Sequence, residues 1–512
     1  MKSNNYNIVI AAIVSLGGFL FGFDAAIIAG VVGYVEPLFE LNDVQKGWVV
    51  SSPSFAAMFA MLVAGAMGNI IGRKSMLLIV AFLYAVSALL SAYAGSYEML
   101  YIARMLGGVA FGAALILAPM YIAEISNAQN RGKLVSVQQL NIVLGFSVAY
   151  FTGYYLNQAG QNGTGIIDES NAWRWMLGVE ALPAVLYFIA LFFVPRSPRW
   201  LLLKGRTAEA KKVLSKLHGE EQANVEINDI QQAISSGSSK VKLSELFNPA
   251  LRFVLIIGLV VGILQQVTGI NAVFFYATSI FEQTGVGTNA AFAQSVVVGI
   301  INVVFTILVM ILIDKMGRRP LLLIGIAGVA ISLLITSYGF HQATYELSND
   351  QIATLEDIDG TQLSTIANTT YQNDVEFKAA VKSAIGEQAF KANETDIIQA
   401  AANINPYLIL FGILGFVASF AFSLGPVMWV LLSELFPTRI RAIAIGCIGF
   451  VNSFSSWVVQ QIFPWELSTL GNAMTFFIYA MLALIGFFLF LKLLPETKGK
   501  SLEELESELA RA

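Results

Sequence analysis

The sequence predicts an all-α membrane protein in which twelve transmembrane helices form two pseudo-symmetric six-helix bundles. Of its 512 residues, 56% are hydrophobic and only 12% are charged, against roughly a quarter charged in an ordinary soluble domain. So much apolar surface cannot all be buried in a water-soluble core, and lipid must therefore cover part of it. The spacing of the apolar windows and a set of motifs that occurs twice support the same prediction.

Twelve apolar windows are each long enough to cross a bilayer, which takes about 20 residues in a helix. The first run is too long for the core of a signal peptide and contains Asp24, so it predicts a retained first helix. In chain order the windows lie at 8–35, 45–70, 76–94, 98–125, 134–158, 173–194, 251–282, 290–314, 320–340, 405–433, 441–464 and 471–494.

Two polar segments interrupt the series of windows. The first, 195–250, is charged and contains a Gly-Ser run, which predicts short amphipathic helices at the membrane surface. The second, 341–404, carries ten acidic residues and three lysines, and its stretch 375–402 has a helical pattern. The expected domains are an N-terminal bundle (1–194), a linker (195–250), a C-terminal bundle with the insert (251–494) and a tail (495–512).

Three motifs recur in matching positions of the two halves. A single Gly-Arg-Arg after an apolar helix would be an ordinary turn, but three pairs in register indicate related halves. A transporter that rocks around a central site requires such halves. The pairs are GRK at 72–74 with GRR at 317–319, Glu124 and Arg131 with Glu434 and Arg441, and the segments that begin at Pro195 and Pro495.

Lysine and arginine are concentrated in the linker and in the loops after the even-numbered windows. Loops with this excess of positive charge stay on the cytoplasmic side of a membrane. Because twelve spans put both termini on one side, we expect both termini and the linker in the cytoplasm. The insert is then expected outside, and the protein in the cell membrane.

Nine short motifs extend from the second window to the tail, and together they resemble the sugar porters of the major facilitator superfamily. The likeness is greatest to bacterial xylose–proton symporters and more distant to facilitative glucose transporters. It implies the major facilitator fold and transport of a pentose or hexose by alternating access. The motifs are GRK at 72–74, PMYIAE at 119–124, RGK at 131–133, PRSPRWL at 195–201, QQVTGIN at 265–271, GRR at 317–319, GPVMW at 425–429, Glu434 and PETKG at 495–499.

Three amides cluster in the seventh window, at Gln265, Gln266 and Asn271. A straight helix would not aim all three at one point, but Gly269 permits a local break or bend. Amides suit a sugar because both an amide and a hydroxyl donate and accept hydrogen bonds. The alternative is that they serve as hydrogen-bonding contacts between helices.

The resemblance implies further sugar contacts. Trp429 matches a tryptophan that packs against the sugar ring, and it follows Gly425-Pro426, where we expect the tenth helix to break. An aromatic face suits the C–H face of a pyranose. Lipid or core packing is the alternative for this side chain. The other implied or possible contacts are Gln139, Asn302, Asn452, Phe21 and Tyr276.

Two charged residues at membrane depth, Asp24 and Arg104, indicate proton coupling. Charge is costly there unless it is paired or faces water, so a functional role is the default interpretation. Proton-coupled relatives have this pair at matching positions, whereas uniporters have asparagine at the first. A static ion pair is the alternative. Glu180 in the sixth window matches another acidic position of the family and is expected to modulate the pair.

Charges at the cytoplasmic ends of the windows are expected to form a gate. Glu124 with Arg441, and Glu434 with Arg131, are predicted to bridge the halves when the cavity opens outward, and Arg73 and Arg318 to join them. Such partly buried pairs are weak evidence for stability. They are suited to favour one of two conformations.

Other function classes find no support in the sequence. A net charge of -4 gives no basic surface for nucleic acid. Two histidines and one cysteine suggest no metal site, and no nucleophile–base set indicates an enzyme. No cofactor is expected, and the expected partners are a monosaccharide, a proton and the lipid bilayer, with the protein acting as a monomer. A sugar or polyol uniporter, and a sugar sensor that does not transport, remain alternatives.

Overall fold

The computed structural model describes residues 3–126, 131–163, 165–235, 243–248, 251–355, 358, 360–437 and 440–498. Twelve spans, numbered here in chain order, are built from helices, and spans 6, 7 and 10 are interrupted. The N-terminal spans are Ser3–Leu38, Asp43–Ile71, Arg73–Ala92, Tyr97–Ile125, Arg131–Gln161, and Ala172–Gly178 with Ala181–Phe192. The C-terminal spans are Arg252–Val267 with Ile270–Phe275 and Ala277–Glu282, Thr288–Met316, Arg318–His341, Pro406–Ala421 with Leu424–Leu435, Arg441–Thr469, and Gly471–Leu493.

Span 5 differs from the others in hydropathy. Within the residues that the structure describes, eleven helices are long and apolar enough to cross a membrane, and Arg131–Gln161 is not among them. Its 31 residues are ample in length, but Gln138, Gln139 and Asn141 lower its hydropathy. It packs against spans 1 and 8, so its polar face is covered by protein and twelve helices form the two bundles.

The repeated glycines at the ends of spans 2 and 8 allow the chain to turn sharply. Gly72 has φ 97° and Gly317 has φ 90°, which an L side chain rarely adopts. A Cβ at Gly72 would lie 3.1 Å from the ring of Trp200, and one at Gly317 would lie 2.7 Å from Oε2 of Glu496. Each glycine therefore contacts the segment that closes its own half, at equivalent places in the two halves.

The predicted break in span 7 is confirmed. The helix ends at Val267, Gly269 takes φ 87°, and a new helix begins at Ile270. Any Cβ at Gly269 would overlap the ring of Tyr479 in span 12. Glycine is therefore required here both by the backbone and by the close approach of span 12.

The break in span 10 is confirmed, but it lies earlier than Gly425-Pro426. The first helix ends at Ala421 and the second begins at Leu424. Proline lacks an amide hydrogen and its ring clashes with the carbonyl four residues before it. Pro426 therefore disrupts the turn that precedes it and is accommodated in the first turn of the new helix.

The insert folds around a core of its own. Strand β1 (Thr344–Tyr345) pairs antiparallel with β2 (Ala402–Asn403) and closes the segment into a loop. Buried Tyr345, Phe377 and Phe390 belong to this core. The predicted helical stretch is confirmed as two helices that meet at Gly386. The helices of the insert are Asn349–Ile352, Gly360–Leu363, Asp374–Ile385 and Glu387–Ala401.

The linker forms the short amphipathic helices that were predicted. Trp200, Leu214 and Ala223 are among the residues of its small apolar core. It lies against spans 1 and 4. We call this end of the bundles the linker face and the opposite end the insert face. The linker elements are Pro198–Leu203, Thr207–His218, Glu220–Ser235 and the 3-10 helix Leu243–Phe247.

Candidate functional site

Four amides of spans 7 and 11 form one hydrogen-bonded cluster. Nε2 of Gln266 donates to Oε1 of Gln265 and to Oδ1 of Asn452, both at 3.2 Å. Nδ2 of Asn452 donates to Oε1 of Gln265 at 2.8 Å. Nδ2 of Asn271 donates to Oε1 of Gln266 at 2.8 Å. The break at Gly269 thus brings Asn271 back to the two glutamines.

The cluster is also joined to both interrupted spans of this half. Nε2 of Gln265 donates to the carbonyl oxygens of Leu424 at 2.9 Å and Gly425 at 3.3 Å. These carbonyls lie in the first turn after the break in span 10. The amides bond to one another and to this turn. Their polar groups are therefore paired, although they lie nearly buried at membrane depth.

A chain of hydrogen bonds runs from the cluster to the opposite bundle. Asn271 donates from Nδ2 to Oγ of Ser456 at 2.6 Å, and Nε2 of Gln460 donates to the same oxygen at 2.7 Å. Oγ of Ser54 in span 2 donates to Oε1 of Gln460 at 3.0 Å. A change in the hydrogen bonds of the cluster can therefore affect the contact between the bundles.

Trp429 differs from the buried aromatic side chains around it. It is 41% exposed, and its ring comes within 3.8 Å of a Cβ placed on Gly449 in span 11. Asn302 of span 8 is buried at 4% exposure, and Gln139 of span 5 is half-buried. Within the described part of the chain, no hydrogen bond connects Gln139 or Asn302 to the amide cluster.

The two predicted aromatic contacts lie in different surroundings. Phe21 packs against Phe111, with ring centroids 4.7 Å apart, and against Phe146 at 6.4 Å. Phe146 in turn contacts Phe274 of the other bundle at 4.9 Å. Tyr276 is 1% exposed and donates from its hydroxyl to the carbonyl oxygen of Gln460 at 3.1 Å. Phe21 thus joins an aromatic contact between the halves, while Tyr276 fixes span 7 to span 11.

Asp24 and Arg104 form a buried ion pair inside the N-terminal bundle. Nη1 of Arg104 lies 3.3 Å from Oδ1 of Asp24, and Nε of Arg104 donates to the carbonyl oxygen of Val49 at 3.0 Å. Asp24 is 5% exposed and Arg104 is 1% exposed. Glu180, at the break in span 6, is 4% exposed, and its Oε1 has no hydrogen-bond partner among the described residues. Three ionisable groups are therefore buried in one bundle with a single positive charge between them.

The acidic residues at the linker face pair within their own halves. Glu124 accepts from Nη2 of Arg73 at 2.9 Å and from Oγ of Ser197 at 2.5 Å. Glu434 accepts from Nη2 of Arg318 at 2.7 Å and from Oγ1 of Thr497 at 2.6 Å.

The two arginines predicted to bridge the halves are placed differently. Nε of Arg441 donates to the carbonyl oxygen of Phe436 at 3.1 Å. The side chain of Arg131 lies outside the described residues. Arg73 and Arg318 therefore join the acidic residues as predicted, while the pairing across the halves stays a prediction for another conformation.

The described hydrogen bonds between the bundles lie from mid-membrane to the insert face. Oγ of Ser51 donates to Oε1 of Gln461 at 2.7 Å, and Oγ of Ser147 donates to the carbonyl oxygen of Gly299 at 2.7 Å. Gly47 lies so close to Gln461 that a Cβ would overlap its backbone. The path between the bundles is thus closed on the insert side.

Sequence reasoning did not identify Ser456, Gln460, Gln461, Ser51 or Ser54. The available signal was the Gln-Gln pair at 460–461 in an apolar helix. Small polar residues at 51–52 and 54 in span 2 were a second signal. Neither pattern reveals its partner, because the two sets are about 400 residues apart in the chain.

Comparison with known proteins gives a match over most of the chain. The family model described as "Sugar (and other) transporter" matches residues 10–354 and 385–509. The arabinose–proton symporter of Bacillus subtilis is 32% identical over 98% of this chain and 95% of its own length. The D-xylose–proton symporter of Escherichia coli K12 is 30% identical over 99% of this chain and 96% of its own. A glucose transporter of Staphylococcus epidermidis is 30% identical over 99% and 98%.

Solved structures match the fold over nearly the whole chain. An inward-open conformation of the xylose transporter from E. coli has a TM-score of 0.75 and 28% identity, covering 98% of this chain and all of the other. A proton:xylose symporter bound to 6-bromo-6-deoxy-D-glucose has a TM-score of 0.72 and 30% identity, covering 99% and 100%. The fold is therefore that of a major facilitator transporter, in keeping with the prediction.

Proposed function

The chain belongs to the sugar transporter family of the major facilitator superfamily, and on that premise we propose that it carries a pentose or hexose together with a proton. The observation that carries this proposal is the buried amide cluster of spans 7 and 11. Relatives named for arabinose, xylose and glucose transport support this substrate class.

Sugar recognition follows from the chemistry of the cluster. Gln265, Gln266, Asn271 and Asn452 satisfy one another in this structure. Each amide group supplies both donors and acceptors, so sugar hydroxyls can replace these mutual bonds one for one. Trp429 offers its face to the apolar side of the ring. We include Gln139, Asn302, Phe21 and Tyr276 in the proposed site because they match sugar-contact positions or border this region.

Proton coupling is assigned to Asp24, Arg104 and Glu180. In the ion pair, the charge of Asp24 is balanced by Arg104 at 3.3 Å. Protonation of Asp24 removes that attraction and leaves Arg104 bonded to the carbonyl oxygen of Val49. Because the pair is buried among spans 1, 2 and 4, losing it changes which arrangement of these helices is favoured. Glu180 is a further buried carboxyl group of the same bundle, and we assign it to modulating the exchange.

Alternating access requires two gates. At the insert face, spans 2 and 11 and spans 5 and 8 hold the bundles together. At the linker face, Glu124 and Glu434 with their arginines form the second gate. Positive charge is concentrated at the linker face, so we assign that face to the cytoplasm of a cell membrane. The site lies within one chain, which supports a monomer as the functional unit.

Uptake by purified protein in proteoliposomes tests this function. We expect an inward proton gradient to drive accumulation of one of labelled xylose, arabinose, glucose or galactose above equilibrium, and a protonophore to abolish it. Equilibration without accumulation would identify a uniporter. Failure to carry any of these sugars by folded protein would favour a polyol carrier or a sensor.

A further inference from the structure

The insert is anchored to the C-terminal bundle. Oδ2 of Asp374 accepts from the backbone nitrogen of Asn472 at 3.1 Å and from its Nδ2 at 2.6 Å, at the start of span 12. Glu394 accepts from Nε2 of Gln283, beside span 7, at 3.1 Å and pairs with Lys378 at 2.8 Å. The family model leaves residues 355–384 unmatched. A unit with its own core is thus attached to the C-terminal half.

The same unit also contacts the N-terminal bundle. Nε2 of Gln388 donates to Oε1 of Glu40 at 2.7 Å, and Nζ of Lys391 donates to the carbonyl oxygen of Leu41 at 3.0 Å. Glu40 and Leu41 form the turn between spans 1 and 2. The insert therefore joins the two halves across the insert face.

The turn at Glu40 has an unusual backbone. Glu40 has φ 51°, in the left-handed region that L residues disfavour. The backbone nitrogen of Leu41 donates to the carbonyl oxygen of Glu36 at 3.0 Å, and that of Glu40 donates to the carbonyl oxygen of Pro37 at 3.4 Å. This pattern ends a helix most often with glycine at the left-handed position. A glutamate here is explained by its carboxylate, which receives the bond from Gln388.

We propose that the insert is a latch that holds the insert face closed, an inference that rests on the proposed alternating access. Opening that face moves spans 1 and 2 away from the insert, so the bonds of Gln388 and Lys391 must both break. One such bond changes an equilibrium by about fivefold. Together they favour the closed conformation by about 25-fold, and they set how readily sugar enters from that side.

Cross-linking across the latch tests the proposal. In a Cys447→Ser background, a short cleavable bis-thiol reagent links cysteines in Glu40→Cys/Gln388→Cys protein. We expect uptake and exchange to fall more than tenfold and to recover when the linker is cleaved. The matched control, Asp374→Cys/Asn472→Cys, ties the insert to its own half and should transport normally. Failure of the first pair to cross-link, or normal transport after it does, would overturn the latch.

A second variant removes the latch without disturbing the fold. Glu40→Gly removes the carboxylate that accepts from Gln388 but favours the left-handed turn. Lys391→Met removes the donor to the carbonyl oxygen of Leu41. A reporter, Ser147→Cys, lies buried between the bundles. We expect an impermeant thiol reagent, added from the insert side of intact cells, to label it about 25-fold faster than in the parent. An unchanged rate would contradict the latch. Absence of uptake by the wild-type protein would instead contradict the proposed transport.

Discussion

Gln266 lies at the centre of the amide cluster, and replacing it should weaken sugar binding without unfolding the protein. Its Nε2 bonds to Gln265 and Asn452, and its Oε1 accepts from Asn271. In Gln266→Leu, Asn271 keeps Ser456 and Gln265 keeps Asn452. Oδ1 of Asn452 loses its only hydrogen-bond partner among the described residues. A sugar hydroxyl that binds Gln266 would lose its partner as well.

The expected size of the effect follows from these lost bonds. A buried polar group left without a partner costs about 1–3 kcal/mol. In the complex this corresponds to a rise in KM of about 5- to 140-fold, since about 1.4 kcal/mol is a factor of ten. The assay is the sugar concentration dependence of counterflow exchange in proteoliposomes, with thermal unfolding measured on the same protein.

Gln138→Leu is the matched control. Gln138 is also a buried glutamine in a span, but its Oε1 has no hydrogen-bond partner among the residues described. The same substitution there should leave KM within about threefold. A KM that is unchanged in Gln266→Leu, or raised equally in both variants, would refute the assignment of the cluster to sugar binding.

Three further predictions concern other parts of the molecule. Trp429→Ala should raise KM about tenfold through loss of the aromatic face, and Trp429→Phe should recover most of it, as measured by exchange. Gly269→Ala should lower the thermal unfolding temperature and abolish transport, because a Cβ overlaps Tyr479 and φ is 87°; wild-type stability would contradict this. Hydrogen bonding to Glu226 raises the pKa of His218 in the linker. Protonated His218 should therefore stabilise the folded linker at low pH, and this stabilisation should be lost as pH rises through the raised pKa. His218→Gln should remove that pH dependence of unfolding, which lies above the ordinary histidine pKa of 6.5.

Much of the fold could be predicted because single residues impose it. Gly269 had to permit a break for the amides of span 7 to converge, and the helix does break there. Pro426 predicted the break in span 10 but not its place, because a proline acts on the turn before it. Span 5 was recognised from its window at 134–158 although Gln138, Gln139 and Asn141 lie within it.

Long-range contacts of the site could not be predicted from the sequence. Hydrophobic periodicity shows which face of a helix is polar, but it does not name the helix opposite. The bond between Ser54 and Gln460 joins residues 406 positions apart. The charges at the linker face were predicted to pair across the halves, whereas Glu124 and Glu434 take arginines from their own halves here. The pairing across the halves stays a prediction for an outward-open conformation, and a sequence does not specify which conformation is occupied.

Proton-driven accumulation by Asp24→Asn protein tests whether Asp24 couples sugar transport to the proton gradient. Asparagine keeps the size of the side chain and an oxygen that can accept from Arg104, but it cannot take up a proton at physiological pH. We expect sugar counterflow to persist in this variant while accumulation driven by an inward proton gradient is lost. Accumulation equal to that of the wild type would contradict it and would make the ion pair of Asp24 and Arg104 a structural element.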